Sequence, residues 1–364
     1  MKLINQFLTI LVFFFLVVSC TAKKELIINA SNPEINYSGR IDKNSTIGAA
    51  DLIWPGTSVK INFKGSSISA VLNDEKGANY YAVIIDNDSI SILNPTVGKK
   101  QYQLASGLSE GDHTLELFKR TQHSRGKTSF YGFQIKDKAK LLAKSPEKEL
   151  KIEIYGNSIS AGYAIDDLSG GDNGAGEFNN NYLAYGALTA RHFNADYRCI
   201  CKGGIGITIS WFPYTMPDIY DKLNPNEPNS NWDFTKYTPD VVVVNLFQND
   251  SWLVKKTGRE DFKNNFGDTP PSDTYIINAY KDFISSIREK YPNANIICAL
   301  GSMDATKEGS KWPGYIEKAV SNLKDEKIHT LVFPYKETNG HPNVKEQEQI
   351  ANQLIAFINK NISW

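Results

Sequence analysis

The feature that most constrains the fold of this chain is a change in hydrophobic periodicity close to residue 150. Before it, between about Glu25 and Ile135, short segments alternate apolar with polar residues, and turn residues separate them. These segments are SVKINFKG, SISAVLND, YYAVIIDN, KQYQLAS, HTLELFKR and TSFYGFQI. Alternation with a period of two and no intervening helical pattern predicts an antiparallel, jelly-roll-like β-sandwich, which we place at residues 25–136.

The second half of the chain has a different pattern. Residues 137–149, DKAKLLAKSPEKE, are charged and contain a proline, which predicts a linker. Beyond them, apolar runs alternate with helical segments. The runs are Ile152–Tyr155, Tyr197–Cys201, Val241–Leu246, Ile296–Leu300 and Thr330–Phe333, and the helical segments are Tyr182–Phe193, Thr274–Lys290, Tyr315–Asp325 and Val344–Ile362. This alternation predicts a flavodoxin-like α/β domain with a parallel sheet over residues 150–364.

The first residues indicate export. A lysine near the start precedes an apolar run from Phe7 to Val18, which is shorter than the ~20 residues that span a bilayer. Val17-Val18-Ser19-Cys20 resembles a bacterial lipobox, in which the cysteine is lipidated. We therefore expect residues 1–20 to be a lipoprotein signal peptide and Cys20 to carry the only membrane anchor. The alternative is an ordinary signal peptide with an incidental cysteine.

Charge and cysteine content exclude several classes of partner. Lys plus Arg and Asp plus Glu both number 40, so the formal net charge is zero and offers no long-range attraction for nucleic acid. Cys199, Cys201 and Cys298 lie in apolar runs, and no spacing indicates a metal site or a disulfide framework. We expect a monomer that needs no cofactor or metal and binds a neutral, polar partner.

The stretch YGNSISAGY places Ser158 directly after the first strand of the predicted parallel sheet. Gly, Asn and Ser favour turns for backbone reasons alone, which is the simpler interpretation. The alternative is chemical, because a serine at the carboxyl edge of such a sheet lies where open α/β folds bind their ligands.

Three further segments follow other strands of the same sheet. Gly203-Gly204-Ile205-Gly206 follows the second strand, Asn249 the third and His341 the last. The other histidines lie in the sandwich, at a helix end or before a buried strand, namely His113, His123, His192 and His329. Parallel strands bring these four loops to one edge, and a hydroxyl, donor groups and a histidine are the parts that acyl transfer requires.

These motifs resemble the SGNH (GDSL-like) hydrolases, and more closely the acetyl xylan esterases of carbohydrate esterase family two. The segments that carry the resemblance are YGNSISAGY, KGGIGIT, TMPDIYD, WDFTKYTPDVVVVNLFQND and GHPN, together with WPGTSVKINFKG and ELFKR in the first half. The resemblance implies that Ser158 is the nucleophile and that His341 is the general base. It also implies an oxyanion hole formed by the amides of Ser158 and Gly206 and by the Asn249 side chain.

The chain departs from the family pattern at three places. Asn157 replaces the usual acid before the nucleophile, a loss that an amide can largely compensate. Phe247 puts a large ring close to the expected oxyanion hole. No aspartate lies two or three residues before His341, so we expect Asn339, a backbone carbonyl or Glu337 to orient the imidazole in a dyad or a weakened triad.

Aromatic residues indicate how a sugar could bind. Trp211 and Trp252 follow the loops that hold Gly206 and Asn249, and with Phe247 they are our candidates for the substrate cleft; core packing is the alternative. We expect the sandwich to contribute no catalytic atom.

The resulting hypothesis is a serine esterase that removes O-acetyl groups from a polysaccharide or oligosaccharide. One alternative is a lipoprotein of weakened activity that binds glycans, and another is an O-acetylesterase for a different acetylated glycan.

Overall fold

The computed structural model describes residues 25–44, 47–136, 139–336 and 338–364. The expected signal peptide with Cys20, and also Glu337, lie outside the described residues. Within the described ranges no helix is both long and apolar enough to cross a bilayer.

The first unit is the predicted sandwich of antiparallel sheets. Its strands are β1 (Leu26–Asn29), β2 (Asn36–Ser38), β3 (Ile41–Asn44), β4 (Ala49–Leu52), β5 (Ser58–Lys64), β6 (Ser67–Asp74), β7 (Tyr81–Ile85), β8 (Ser89–Leu93), β9 (Gly98–Ser106), β10 (Asp112–Lys119), β11 (Thr128–Lys136) and β12 (Lys140–Leu141). One sheet has the order β3-β4-β11-β6-β9 with β1 also on β11, and the other has the order β12-β5-β10-β7-β8 with β2 also on β5. Val59, Ile61 and Phe63 alternate into the core between them, as the period of two predicts.

The predicted linker is partly structured. Lys140 and Leu141 pair with Lys64 and Phe63 as an additional edge strand. The second sheet therefore extends beyond the boundary expected at residue 136, because an open edge of β5 accepts a short strand even from a charged segment.

The second unit contains a parallel sheet. Its strands are β13 (Lys151–Gly156), β14 (Asp196–Cys201), β15 (Val241–Asn245), β16 (Asn295–Leu300) and β17 (Ile328–Val332). Its helices are α1 (Ser158–Ala161), α2 (Tyr185–His192), α3 (Met216–Ile219), α4 (Gln248–Leu253), α5 (Glu260–Phe266), α6 (Asp273–Lys290), α7 (Trp312–Leu323) and α8 (Val344–Asn361). The strand order β14-β13-β15-β16-β17 is flavodoxin-like, and its switch point lies between β13 and β15, where such folds bind ligands.

Three apolar cores stabilise the molecule, and two of them cross the boundary between the units. The core on one face of the parallel sheet includes Ile53 and Trp54 of the sandwich. The core on the other face includes Ala82, Ile84 and Phe118. The sandwich thus completes both faces of the parallel sheet, and burial of this apolar surface holds the two units together.

Polar contacts reinforce the same boundary. The fully buried Arg40 donates to a Glu153 carboxylate oxygen at 2.9 Å and to the carbonyl of Tyr220 at 2.6 Å. The Trp54 indole donates to the carbonyl of Leu223 at 2.9 Å. Because a buried charge is tolerated only when paired, Arg40 and Glu153 depend on each other across the boundary.

Candidate active site

Ser158 is held at the carboxyl edge of the sheet by a tight strand-to-helix turn. A Cβ placed on Gly156 would lie 2.2 Å from the Ser160 hydroxyl oxygen, so the turn requires glycine at this position. The Asn157 side chain caps α1 by accepting from the Ile159 amide at 3.0 Å. The residue that replaces the usual acid thus keeps a capping hydrogen bond, and Ser158 follows it as the first helical residue.

His341 reaches Ser158 from the loop before α8. Its Nε2 lies 2.8 Å from Ser158 Oγ. Asn343 and Glu346 form a capping box at the start of α8, which fixes the end of this loop, and the Tyr163 ring packs on the imidazole with 4.5 Å between ring centroids. The distance is that of a hydrogen bond between a hydroxyl and a base able to accept its proton.

The carboxylate that supports His341 is Asp172. His341 Nδ1 lies 2.8 Å from Asp172 Oδ1 and 3.0 Å from Oδ2, and the His341 amide also donates to Oδ1 at 2.9 Å. The pKa of Asp172 is lowered, chiefly by the hydrogen bond from the imidazole, so the carboxylate is ionised at neutral pH. Ser158, His341 and Asp172 therefore form a hydroxyl–imidazole–carboxylate relay.

This geometry corrects the sequence-based expectation for the acid. Asn339 is exposed, and its backbone carbonyl accepts a hydrogen bond from Lys336 Nζ at 3.2 Å. Asp172 lies 169 residues before His341, so a search of the positions next to the histidine could not find it.

The loop that carries Asp172 is held by its own hydrogen bonds. The Asp167 carboxylate accepts from the amides of Ser169 and Asn173, at 3.0 and 2.7 Å. Asp172 itself has φ of 55°, the left-handed conformation that Asp and Asn tolerate best after glycine. DLSGGDNG thus encodes a turn-rich loop that presents a carboxylate.

Gly206 does not supply the expected oxyanion donor. Its amide is buried and donates to the Ser210 hydroxyl at 3.0 Å, and the following amides of Ile207 and Thr208 donate to the buried Asp250 carboxylate. Earlier in the same loop, Gly204 is half-buried and its amide makes no hydrogen bond to any residue that the structure describes. Gly206 differs from the expectation because hydrogen bonds within the loop already use its amide and the two amides that follow it.

Asn249 lies where the sequence places it, in the first turn of α4. Its Nδ2 donates to the Ile205 carbonyl at 2.8 Å, and its Oδ1 accepts from the Trp211 indole at 3.1 Å. An amide nitrogen carries two hydrogens, so one is left for a ligand. Trp211 is 39% exposed beside it.

The other two aromatic candidates, Phe247 and Trp252, differ in how deeply they are buried. Phe247 is fully buried and packs on Tyr280 and Trp312, with 4.7 and 4.9 Å between ring centroids. The expectation that its ring lines the cleft is therefore wrong: the ring belongs to the core, and the residue has a φ of 77° at the start of α4. The half-buried Trp252 donates to Asp304 at 2.9 Å.

The sandwich contacts the site through residues that sequence reasoning missed. The Gln122 side-chain oxygen accepts from the Gly203 amide at 2.6 Å, and a Cβ on Gly203 would lie 3.5 Å from Ser158 Cβ. Arg125 donates to the carbonyl of Gly174, within the loop that carries Asp172. The TQHSR segment offered no recognisable motif, so only the fold reveals these contacts.

Metal ligation has no candidate among the described residues: no group of three or more His, Cys, Asp or Glu side chains is placed to hold an ion in that part of the chain. Its three cysteines, Cys199, Cys201 and Cys298, are buried free thiols.

A serine, a histidine and an aspartate joined in this way at the switch point of a flavodoxin-like sheet define an SGNH-type serine hydrolase.

Comparisons with known proteins identify the family. A family model described as carbohydrate esterase 2 N-terminal matches residues 37–146. The solved structure of a family two carbohydrate esterase from Clostridium thermocellum in complex with cellohexaose is 31% identical, with a TM-score of 0.80 over 90% of this chain and 98% of that chain. The protein belongs to family two of the carbohydrate esterases.

Two curated relatives align along nearly the whole chain. The cellulase/esterase CelE of Acetivibrio thermocellus is 32% identical over 344 residues, or 92% of this chain; the chain spans only 40% of the length of CelE. An acetylxylan esterase / glucomannan deacetylase of Cellvibrio japonicus is 24% identical over 349 residues, which cover 93% of this chain and 91% of that protein.

Proposed function

We propose that this protein hydrolyses O-acetyl esters on a polysaccharide or oligosaccharide by way of an acetyl-serine intermediate. The observation that carries the proposal is the relay from Ser158 through His341 to Asp172, with hydrogen-bonding distances of 2.8 Å at both steps. A serine hydroxyl is a weak nucleophile without such a base, and the relay supplies both the base and its support.

In the first step, Ser158 Oγ attacks the acetyl carbonyl while His341 Nε2 takes its proton. The tetrahedral intermediate collapses when the imidazolium gives that proton to the departing sugar hydroxyl, which leaves acetyl-Ser158. Water then attacks the acetyl group with His341 again as base; the imidazolium returns the proton to Ser158 Oγ as its bond to the acetyl carbon breaks, and acetic acid leaves as acetate and a proton. Asp172 keeps Nδ1 protonated and stabilises the imidazolium in both steps.

The oxyanion is stabilised by the remaining donors. Asn249 Nδ2 has a free hydrogen, and the amides of Ser158 and Gly204 make no hydrogen bond to described residues. Gly204 lies against Trp211, the partner of Asn249, and its neighbour Gly203 lies against Ser158. Donors that are fixed before the reaction stabilise the developing charge without further reorganisation.

The names of the relatives support a plant cell-wall glycan as the substrate. One is an acetylxylan esterase / glucomannan deacetylase, and one solved structure holds cellohexaose. Trp211, exposed beside Asn249, and Trp252 would contact the sugar rings. A role in glycan binding without turnover is the second candidate, and the intact relay favours turnover instead.

Localisation and assembly belong to the same proposal. The apolar run before Cys20 supports export and a lipid anchor at a bacterial membrane, and the chain would act there as a monomer. Incorporation of labelled palmitate into the wild type but not into Cys20→Ala would support the anchor. Light scattering after gel filtration would measure the oligomeric state.

The activity is tested with 4-nitrophenyl acetate and acetylated xylan. Ser158→Ala should reduce turnover of both to near background, whereas Ser321→Ala, a control on the exposed face of α7, should retain wild-type rates. A wild-type protein that binds cellohexaose or xylan but releases no acetate would favour the binding function.

A further inference from the structure

Lys202 lies in the loop that adjoins the nucleophile. It directly follows β14, and its amide donates to the Gly156 carbonyl at 3.1 Å. The next residue, Gly203, lies between Gln122 of the sandwich and Ser158. The Lys202 side chain extends along this loop as far as Phe212, whose ring would lie 3.2 Å from a Cβ on Gly204.

Lys202 is a largely buried residue whose ammonium group has no countercharge among the described residues. The residue is only 9% exposed, and its Nζ lies 4.0 Å from the ring centroid of Phe212 and 5.3 Å from that of Tyr214. Among the described residues no carboxylate forms an ion pair with it, and no acceptor forms a hydrogen bond with Nζ. Cation–π contacts compensate only part of the loss of hydration, so this charge is incompletely satisfied.

The neighbours of Lys202 add positive rather than negative charge. Burial, together with the nearby Lys76, lowers the pKa of Lys202 to about 8, which leaves most of it protonated at pH 7. The Nζ of the exposed Lys76 donates to the Ser124 carbonyl at 3.4 Å. Glu75, the carboxylate next to Lys76, is engaged with the Lys127 amide at 3.0 Å.

Two lysines, Lys202 and Lys76, thus place positive charge at one wall of the candidate site, although the chain has no formal net charge. Buried charges in proteins are normally paired, and an unpaired one beside a binding cleft indicates a ligand of opposite charge. In a glycan, the common anionic group is the carboxylate of a uronic acid.

We propose that Lys202, assisted by Lys76, binds the carboxylate of a uronic acid unit carried by the acetylated glycan, so that the preferred substrate is an acidic rather than a neutral polymer. This inference rests on the proposed esterase function. Phe212 and Tyr214 hold the ammonium in place, and the carboxylate of the substrate completes its coordination.

The test compares two substrates that differ only in that carboxylate. Deacetylated glucuronoxylan is divided, one half is reduced at its carboxyl groups, and both halves are acetylated to the same degree. The wild type should deacetylate the acidic polymer with a KM about tenfold lower than the reduced one, a typical effect of one charged hydrogen bond. Lys202→Met should abolish this preference, Lys202→Arg should retain part of it, and Lys318→Met, on exposed surface, should leave it intact.

The outcomes separate this inference from the function on which it rests. Equal KM values of the wild type for both polymers, together with normal hydrolysis of 4-nitrophenyl acetate, would overturn the uronate site alone. A preference that survives in Lys202→Met would also overturn it. Absence of acetate release from every ester would overturn the proposed function instead. Thermal melting of each variant checks folding, and methionine suits a buried position.

Discussion

At the scale of single residues, the site shows what local sequence spacing can reveal. Ser158 and Asn249 were placed by their positions after strands, and the structure puts both at the switch point of the sheet. Asp172 could not be found in this way, because its contact with His341 is set by a loop far away in the sequence. Gly206 and Phe247 were misassigned because a motif gives the position of a residue but not the direction of its amide or ring.

Asp172→Asn should lower kcat by about 10²–10⁴-fold, since the amide favours the wrong imidazole tautomer and no longer stabilises the imidazolium. Asn339→Ala is the control and should stay within about twofold of the wild type. Rates on 4-nitrophenyl acetate from pH 4 to 9 provide the measurement.

A different result would reassign the acid. If Asn339→Ala were the damaging substitution and Asp172→Asn had no effect, the loop before the histidine would supply the support after all. Glu337→Gln belongs in the same series because the sequence raised it as a candidate.

Lys119 makes the free energy of unfolding depend on pH. This fully buried residue donates to three carbonyls, those of Leu52, Ile53 and Gly126, and burial lowers its pKa to about 7. An unfolded chain keeps this proton up to about pH 10.4. Between these values the unfolded state binds more protons, so rising pH favours the folded state.

The measurable quantity is the difference in unfolding free energy between the wild type and Lys119→Met. From pH 7 to 9 the unfolding free energy of the wild type should rise relative to that of Lys119→Met, by up to about 1.4 kcal/mol per pH unit. Urea denaturation at each pH measures the difference, in which shared titrations cancel. A difference that is independent of pH would mean that Lys119 stays charged in the folded protein.

At the scale of elements, hydrophobic periodicity predicted the units well. The apolar runs of the second half became the five strands of one parallel sheet, and the alternating segments became the sandwich. Period and length determine how an element buries its surface, which is why these features can be predicted. The strand β12 was missed because edge pairing depends on a partner strand and not on its own pattern.

The loop at residues 121–126 is the element through which we expect the sandwich to affect catalysis. Gln122→Ala should lower kcat by about tenfold with little change in KM, because the Gly203 amide loses its acceptor and the donors near Ser158 lose their fixed position. Gln122→Glu retains an acceptor and should recover part of the rate. Gln103→Ala, an exposed sandwich residue, is the matched control.

An unchanged kcat in Gln122→Ala would show that the Gly203 amide needs no partner. An increase in KM alone would instead assign Gln122 to substrate binding.

At the scale of the whole molecule, the shared cores lead us to expect that the two units fold together. Expressed alone, residues 149–364 would expose the apolar faces that Trp54 and Phe118 cover and would leave Glu153 without Arg40. We expect this fragment to lack a cooperative thermal transition and to hydrolyse no 4-nitrophenyl acetate. Calorimetry of the fragment beside the full chain gives the measurement. A fragment that melts cooperatively and retains the full rate would make the sandwich dispensable.

His341 lies 183 residues after Ser158, and this separation affects how activity arises during synthesis. Ser158 and the loop of Asp172 leave the ribosome close together, whereas the base is made much later, directly before α8. A nascent chain, or one that terminates prematurely before this helix, therefore carries a nucleophile with no base to activate it. Ester hydrolysis therefore begins only after the segment that carries His341 has been made and has docked.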